Sequence, residues 1–463
     1  MPLRASEDLE SAQAEKFTPL AKELEMVSPD SCEKRRPHVR QTTYSQNEPD
    51  DDGKTNKGKH VTKARNKAVT PAHRAPALRD LRNRKMARSA HAYVRGNTER
   101  FYEWLLEQDA SSVPEGPAIW ICGDCHMGNL GPVADDRGGV HIQIRDFDQS
   151  VIGNPAHDLI RLGLSLAMAA RGSDLPGLTT VRVLEALLIG YEAAFPDSDE
   201  EEPSIPDAMQ TVMKRALRRN WKSLAHERID GVEPSFPTGR NFWPLTQRER
   251  DAIKRLFASP DMVELATQLH HRDSDGHVEL LDAAYWRKGC SSLGKRRYAV
   301  LLDIDGEVSD GEDLCLIDIK EAVASVTPRA RGARMPRDNA KRVVLAATHL
   351  SPALGQRMRA ASLLGNEVFV RELLPQDLKI DIERMGRKQA TRVAMFLANV
   401  VGRAHSRQLD VATRKAWRNE LARNHTRTLD APSWLWRSVT GLLAYHEKQY
   451  LGHCRTYVAA DSR

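Results

Sequence analysis

Apolar positions show no period over the first 75 residues and then begin to repeat. Residues 1–75 are polar and charged, punctuated by DDG, Pro and Ser, and too poor in apolar side chains to offset the entropy of ordering. They predict a disordered basic arm. From Pro76 the pattern is helical: LRDLRNRKMARSAHAYVRGNTERFYEWLLEQ places apolar residues three and four apart, with Gly96 as a break between two helices. After the loop SSVPEG, PAIWIC reads as a short buried strand and GVHIQIRDF as another. In the second, Val140, Ile142 and Ile144 take one face and His141, Gln143 and Arg145 the other. VIGNPAHDLIRLGLSLAMAARG then predicts a buried helix. Asn154 suits the N-cap and Pro155 the first helical position, and Leu159, Ile160, Leu162, Leu164 and Leu166 leave little polar face. A further helix is expected over about 178–195, closed by the acidic PDSDEEEPSIPD, with helical patterns near 208–225 and 246–257.

The pattern changes near residue 286. GCSSLGKRRYAVLLDIDG and LCLIDIKEA read as a turn and two strands, RDNAKRVVLAATHL as a helix, EVFVREL as a strand, and RKQATRVAMFLANVVGRAHSRQ as a long helix. The tail from Pro432 is helical and rich in aromatics, and no internal repeat is visible. The fold class expected is α+β. The expected regions are an arm (1–75), a helix-rich portion (76–285), a sheet with a helix (286–376) and a helical return (377–463).

Composition narrows this little. The 463 residues are 40% hydrophobic and 29% charged, ordinary for a globular protein. No apolar run reaches the roughly eighteen residues of a membrane span, and the first seventeen residues contain no apolar signal core. The expectation is a cytoplasmic protein without a membrane partner. Six cysteines (32, 122, 125, 290, 315, 454) are too few for a disulfide framework in so long a chain. The net charge of +6 gathers in the first ninety residues and at Lys295, Arg296 and Arg297. Polyanion attraction and a solvated basic arm both fit. No aromatics interleave the basic run, so nucleic acid is not the expected partner.

The chemistry concentrates in ICGDCHMGNL (121–130) and IRDFDQ (144–149), which set Asp124, His126, Asn129, Asp146 and Asp148 at two strand ends. A carboxylate there accepts a proton from a hydroxyl. An amide five residues on supplies an oxygen ligand, and a carboxylate from the next strand supplies another. Mg²⁺ prefers one or two carboxylates plus phosphate oxygens, so the set matches the needs of phosphoryl transfer. Asp and Asn also favour turns for their own sake. For His126 taken alone, that plainer explanation is preferred.

Here the chain resembles known families. GDCHMGNL…IRDFDQSVIGNPAHDL is similar to the catalytic core of aminoglycoside-phosphotransferase-type kinases. The span from about Leu78 to Val458 resembles the bacterial family called domain of unknown function 2252. It does so through KMARSAHAYVRG, GDCHMGNLG, IRDFDQ, HDLIRLGLSLAMAARG, GCSSLGKRRYAVLL, IDIKEAVASV and FVREL, a specific set taken together. The resemblance implies a protein-kinase-like two-lobe fold using ATP and Mg²⁺. It implies Asp124 as catalytic base, with Asn129 catalytic and metal-holding. Asp146 is implied as a metal ligand, and Asp148 as a further ligand or a group that orients water. Asp158, with His126, is implied to brace the loop. The departure is Cys122, which stands where phosphotransferases carry the histidine that braces the catalytic loop.

A kinase also needs a glycine loop and a strand lysine. Nothing before Asp124 fits. After it, Gly289, Ser291, Ser292 and Gly294 lead into a strand, Lys320 lies in the next, and Arg371 in FVREL follows. The implied fold is therefore circularly permuted, which requires Lys320 and Asp146 to lie within reach of one nucleotide. An edge-strand lysine is the plainer alternative for Lys320. The helix after the lysine strand carries no Glu to hold Lys320, Asp338 being its only acid, and Glu321 must face the opposite way. Another acid is then the expected partner, unless nucleotide binds poorly.

The expected activity is transfer of the ATP γ-phosphate to an unidentified small-molecule or protein hydroxyl. The alternative is a pseudokinase that binds nucleotide without turnover. Two rivals fit less well. GCSSLGKR approaches a Walker-type loop, but Arg296 replaces the required hydroxyl and a strand follows instead of a helix. CGDCH matches the c-type haem and C-x-x-C redox motifs, which leave the downstream acids unexplained.

Overall fold

The computed structural model describes residues 69–457 except 136, 173–176, 197–202, 219–234, 240, 269–275, 289–292, 305–313, 375–386 and 423–432. The expected arm and the glycine-loop residues Gly289, Ser291 and Ser292 lie outside the described residues. Residues 65–463 form one compact unit. It is a mixed helix-and-sheet protein, as the α+β pattern predicts. Among the described residues no helix is long and apolar enough to cross a membrane.

The chain opens with helices α1 (Pro71–Ala87), α2 (Ala90–Gly96) and α3 (Thr98–Leu106). The pattern predicts two helices here and the structure has three. The additional break is at Ser89, whose hydroxyl accepts from Ala92 N at 3.1 Å and caps α2. Next come β1 (Ile119–Ile121), β2 (Leu130–Ala134), β3 (Val140–Ile144) and β4 (Val151–Gly153). β1 pairs antiparallel with β4, and β2 with β3. β2 and β4 escape the sequence pattern: β2 is buried at all five positions and offers no alternation to read, and β4 is only three residues long. Their effect is to place the 122–129 turn at the end of β1 and the 145–150 turn between β3 and β4. Burial along β3 alternates as expected, with Val140, Ile142 and Ile144 inward.

Helices α4 (Ala156–Gly172), α5 (Gly177–Glu192) and α6 (Asp207–Leu217) follow, then β5 (Phe242–Trp243), α7 (Gln247–Phe257) and α8 (Pro260–Thr267). The remaining strands are β6 (Val278–Trp286), β7 (Arg297–Ile304), β8 (Leu314–Glu321), β9 (Met358–Leu363) and β10 (Asn366–Glu372). α9 (Asn339–Leu350) and α10 (Pro352–Gln356) fall between β8 and β9. The chain ends in α11 (Arg387–Ser406), α12 (Val411–Leu421) and α13 (Ser433–Tyr457). A six-stranded antiparallel sheet runs β5-β6-β7-β8-β10-β9. β6 does not alternate in sequence because its register with β7 shifts between Leu280 and Asp282.

β7 and β8 are buried on both faces. Tyr298, Val300, Leu302, Cys315, Ile317 and Ile319 join one core with α7 and α8. Ala299, Leu301, Leu314 and Leu316 face the other way, toward Ala134 and Val140 of the β2–β3 hairpin. Side chains in a strand alternate faces, so Arg297, Asp318 and Lys320 share this second face. Register adds Phe369 and Arg371 of β10 opposite Lys320 and Asp318. A separate, larger core holds α4, α5, α9 and α11–α13 together.

Candidate active site

The second face of the sheet meets the turn between β3 and β4. Lys320 Nζ lies 2.8 Å from Asp148 Oδ2 and 3.4 Å from Asp146 Oδ1. Lys295 Nζ lies 3.4 Å from Asp148 Oδ2. Burial disfavours every charge here, and proximity decides the outcome for each group. Burial raises the Asp146 carboxyl above the usual range despite Lys320. It would raise Asp148 as well, but Lys320 and Lys295 outweigh it and hold that carboxyl low. The two carboxylates in turn raise Lys320 against the pull of burial. The acid that holds Lys320 is thus Asp148, from a turn far upstream of the lysine strand. Glu321 points away, as alternation predicts, and binds Arg296.

A second ionic layer supports the first. Arg297 grips Asp318 with Nε at 2.7 Å and Nη2 at 2.5 Å, and Arg371 Nη2 donates to the same carboxylate at 2.9 Å. Burial opposes ionisation of Asp318, yet the two arginines hold it well below the usual range. Arg371 also donates to Arg145 O at 3.1 Å, tying the sheet to the acidic turn. Arg342 of α9 reaches the same turn from the other side, donating to Ser150 O at 2.5 Å and to Asp148 O at 3.0 Å. Between sheet and turn is a small cleft of about 50 Å³, lined by Arg145, Asp146, Lys320, Phe369 and Arg371 among others.

The other acidic turn is braced from beneath. Asp158, fully buried in the first turn of α4, accepts from Cys122 N at 2.7 Å and Gly123 N at 2.9 Å. His405 Nε2 lies 3.2 Å from Asp158 Oδ2, its Nδ1 meets Tyr191 Oη at 3.0 Å, and Trp417 Nε1 donates to that same oxygen. Tyr102 Oη donates to Gly123 O at 2.5 Å. Gly123 adopts φ +75°, and a Cβ there would lie 2.1 Å from Gln149 O. The glycine is therefore required where the two acidic turns touch. The Cys122 thiol points toward Asp146 O at 3.5 Å. Bracing here falls to Asp158, His405 and Tyr102.

Asp124 sits over this base. Arg161 Nε donates to its Oδ1 at 2.8 Å, and His126 Nε2 is 3.9 Å from its Oδ2. Asn129 Nδ2 donates to Asp124 O at 2.9 Å, so its amide oxygen is the atom that could hold a metal. His126 accepts from Gly128 N and shapes the turn. Cys122 and Cys125 are buried thiols. Hydrogen bonding to Cys125 and burial push Cys122 well up. At Cys125 a hydrogen bond with Cys122 pulls down, and burial together with the charges of Asp158 and Asp124 outweighs it. So little thiolate is poorly suited to redox or haem attachment.

Of the residues expected from sequence, the structure brings Asp146, Asp148, Lys320 and Arg371 into one cleft. It groups Asp124, His126 and Asn129 in the adjoining turn, with Asp158 of α4 bonded to the backbone of that turn. Gly294 is described, at φ +106°, and precedes β7. Arg161, Arg342 and His405 were not anticipated, and Arg297, expected in a basic strand end, is instead buried against Asp318. Arg161 does carry a signal, being an arginine on an otherwise apolar helix, which demands a buried partner. The donor set suits Mg²⁺. Two carboxylates, Asp146 and Asp148, meet at Lys320, and Asp148 Oδ1 is buried without a hydrogen-bond partner among the described residues. No cluster of three or more His, Cys, Asp or Glu ligands occurs among the described residues, and Mg²⁺ draws its remaining ligands from water and phosphate.

The family model of an uncharacterized protein conserved in bacteria (DUF2252) matches residues 74–456. The chain belongs to the DUF2252 family. Every site residue named above lies inside the DUF2252 match, and residues 1–73 lie outside it. No curated protein and no solved structure matches the chain.

Proposed function

We propose that this DUF2252 chain is a kinase-like phosphotransferase with a circularly permuted two-lobe fold, moving the γ-phosphate of ATP to a hydroxyl acceptor. The observation that carries the reading is Lys320 Nζ at 3.4 Å from Asp146 Oδ1 across 174 residues of chain. The strand lysine and the metal-type acid, separated in reverse order along the sequence, share one cleft. A hairpin with a glycine-bearing turn, a lysine strand, a helix and two more strands also follow in the order of a nucleotide lobe.

In this reading Lys320 and Arg371 orient the phosphates, and residues 289–294 cover them. Asp146, Asp148 and the Asn129 amide hold Mg²⁺, which when bound neutralises charge on the transferred group. Asp124 accepts the proton of the attacking hydroxyl. The Arg161 contact on Asp124 Oδ1 favours a second reading, a pseudokinase. A carboxylate already engaged by a guanidinium is a weaker base, and Oδ2, 3.9 Å from His126 Nε2, must then do the work.

The full chain should show a Mg²⁺-dependent rise in melting temperature with ATP. Asp146→Asn and Lys320→Met should each lose it. Asp124→Asn should keep it while any turnover on an acceptor panel drops by roughly a hundredfold or more, the usual size of a general-base contribution. Absence of any Mg²⁺–ATP stabilisation would sink both readings, and binding without Asp124-dependent turnover would select the pseudokinase.

A further inference from the structure

Arg161, the partner of Asp124, lies near two further basic side chains, His91 and Arg95, that the nucleotide cleft does not use. Arg161, fully buried, donates Nε to Asp124 and Nη2 to Val94 O at 2.8 Å. Its third nitrogen, Nη1, is buried with no hydrogen-bond partner among the described residues. Arg95, half-buried on α2, lies against Gly128 of the catalytic turn: a Cβ on that glycine would meet Arg95 Nη2 at 2.4 Å. No carboxylate among the described residues pairs with Arg95. One helical turn earlier on the same face is His91, whose Nε2 is buried and unpartnered among the described residues. Burial, then the charges of Arg95 and Arg161, push this imidazole down to about 4, so it is neutral at pH 7.

Charge and hydrogen bonding are both unbalanced here. Arg161 offsets Asp124, which leaves Arg95 without a counter-charge. Two buried nitrogens, Arg161 Nη1 and His91 Nε2, have no hydrogen-bond partner among the described residues, and each such group costs stability unless something fills the gap. The missing component is an anion with several acceptor oxygens, next to the carboxylate that would activate a hydroxyl.

Resting on the phosphotransferase reading, we infer that His91, Arg95 and Arg161 form the acceptor subsite, and that the acceptor is a small hydroxyl compound bearing a carboxylate or phosphate. The anionic group docks on Arg95 and Arg161, with His91 beside it, and so presents the hydroxyl to Asp124. Arg95 is a specificity residue in this arrangement; Arg161 also positions Asp124.

Calorimetric titration of the full chain with glycerol, glycerate and glycerol 3-phosphate tests the subsite. At least one of the two anionic probes should bind, and glycerol should not; which of them binds more tightly separates carboxylate from phosphate. Arg95→Gln should weaken the anionic probe by about tenfold or more, the size of one charge-assisted hydrogen bond, and Arg95→Lys should recover part of the loss. Arg371→Gln, in the nucleotide cleft, should leave the probe in place. Equal binding of charged and neutral probes, or loss that follows Arg371 instead of Arg95, overturns the subsite. So does unchanged probe binding in a folded Arg95→Gln protein. Mg²⁺–ATP stabilisation measured in the same series keeps the two ideas apart. If it fails while Arg95-dependent anion binding persists, the transferase reading falls and the anion site stands.

Discussion

At the scale of single residues, Asp158 shows how much can rest on one buried carboxylate. Its two oxygens satisfy the backbone N–H groups of Cys122 and Gly123 and meet His405, so three donors depend on it. Asp158→Ala would leave all three buried without an acceptor. It should destabilise the protein by about 3–5 kcal/mol, the range for a buried charged partner removed, measured by urea denaturation. Asp158→Asn, which retains one acceptor oxygen, should cost less. Asp158 was legible from sequence because it sits in the first turn of a well-capped helix within the GNPAHDL motif. His405 was not, because nothing near it in the chain indicates a carboxylate 247 residues away.

At the scale of elements, strand alternation explains why the cleft has the lining it does. Arg297, Asp318, Lys320, Phe369 and Arg371 occupy one sheet face because they fall on the same parity in three paired strands. The acidic turns are positioned by two short ladders, β1–β4 and β2–β3, of which pattern reading finds one strand each. α5 and α11 place His405 by packing backbone against backbone. A Cβ on Gly190 would lie 2.0 Å from Met395 O, and a backbone carbonyl cannot swing aside. Gly190→Ala should therefore force the helices apart and cost about 1–3 kcal/mol, as overpacking does. A lower melting temperature together with faster proteolysis of the α11 region would register it. An unchanged melting temperature would show that the crossing is looser than described.

For the molecule as a whole, buried imidazoles set the response to acid. Burial, before any nearby charge, lowers His91 and His157 to about 4 and His446 to about 3. In the unfolded chain each takes a proton below about pH 6.5; in the folded protein each refuses it until roughly pH 4 or lower. The unfolded state then binds more protons, so stability is full above pH 6.5 and falls with pH through the window down to 4. Each histidine contributes up to about 1.4 kcal/mol per pH unit. Denaturation midpoints should drop steeply between pH 6.5 and 4, and His446→Gln should flatten that slope. A midpoint independent of pH over this range would contradict the burial of these rings.

The local chemistry was determined by sequence alone. It set the acids at strand ends, the capped buried helix, the lysine strand, the glycine near it and the α+β class, because turn preference, side-chain period and capping act over a few residues. Tertiary structure alone decided which of these groups meet. Lys320 found its acid in Asp148 and not on the following helix, Arg161 claimed Asp124, and Arg342 and Arg371 tied the acidic turn to α9 and the sheet. Such pairs depend on how sheet and helical core dock, and docking is a property of summed apolar burial over the whole chain rather than of any stretch of it.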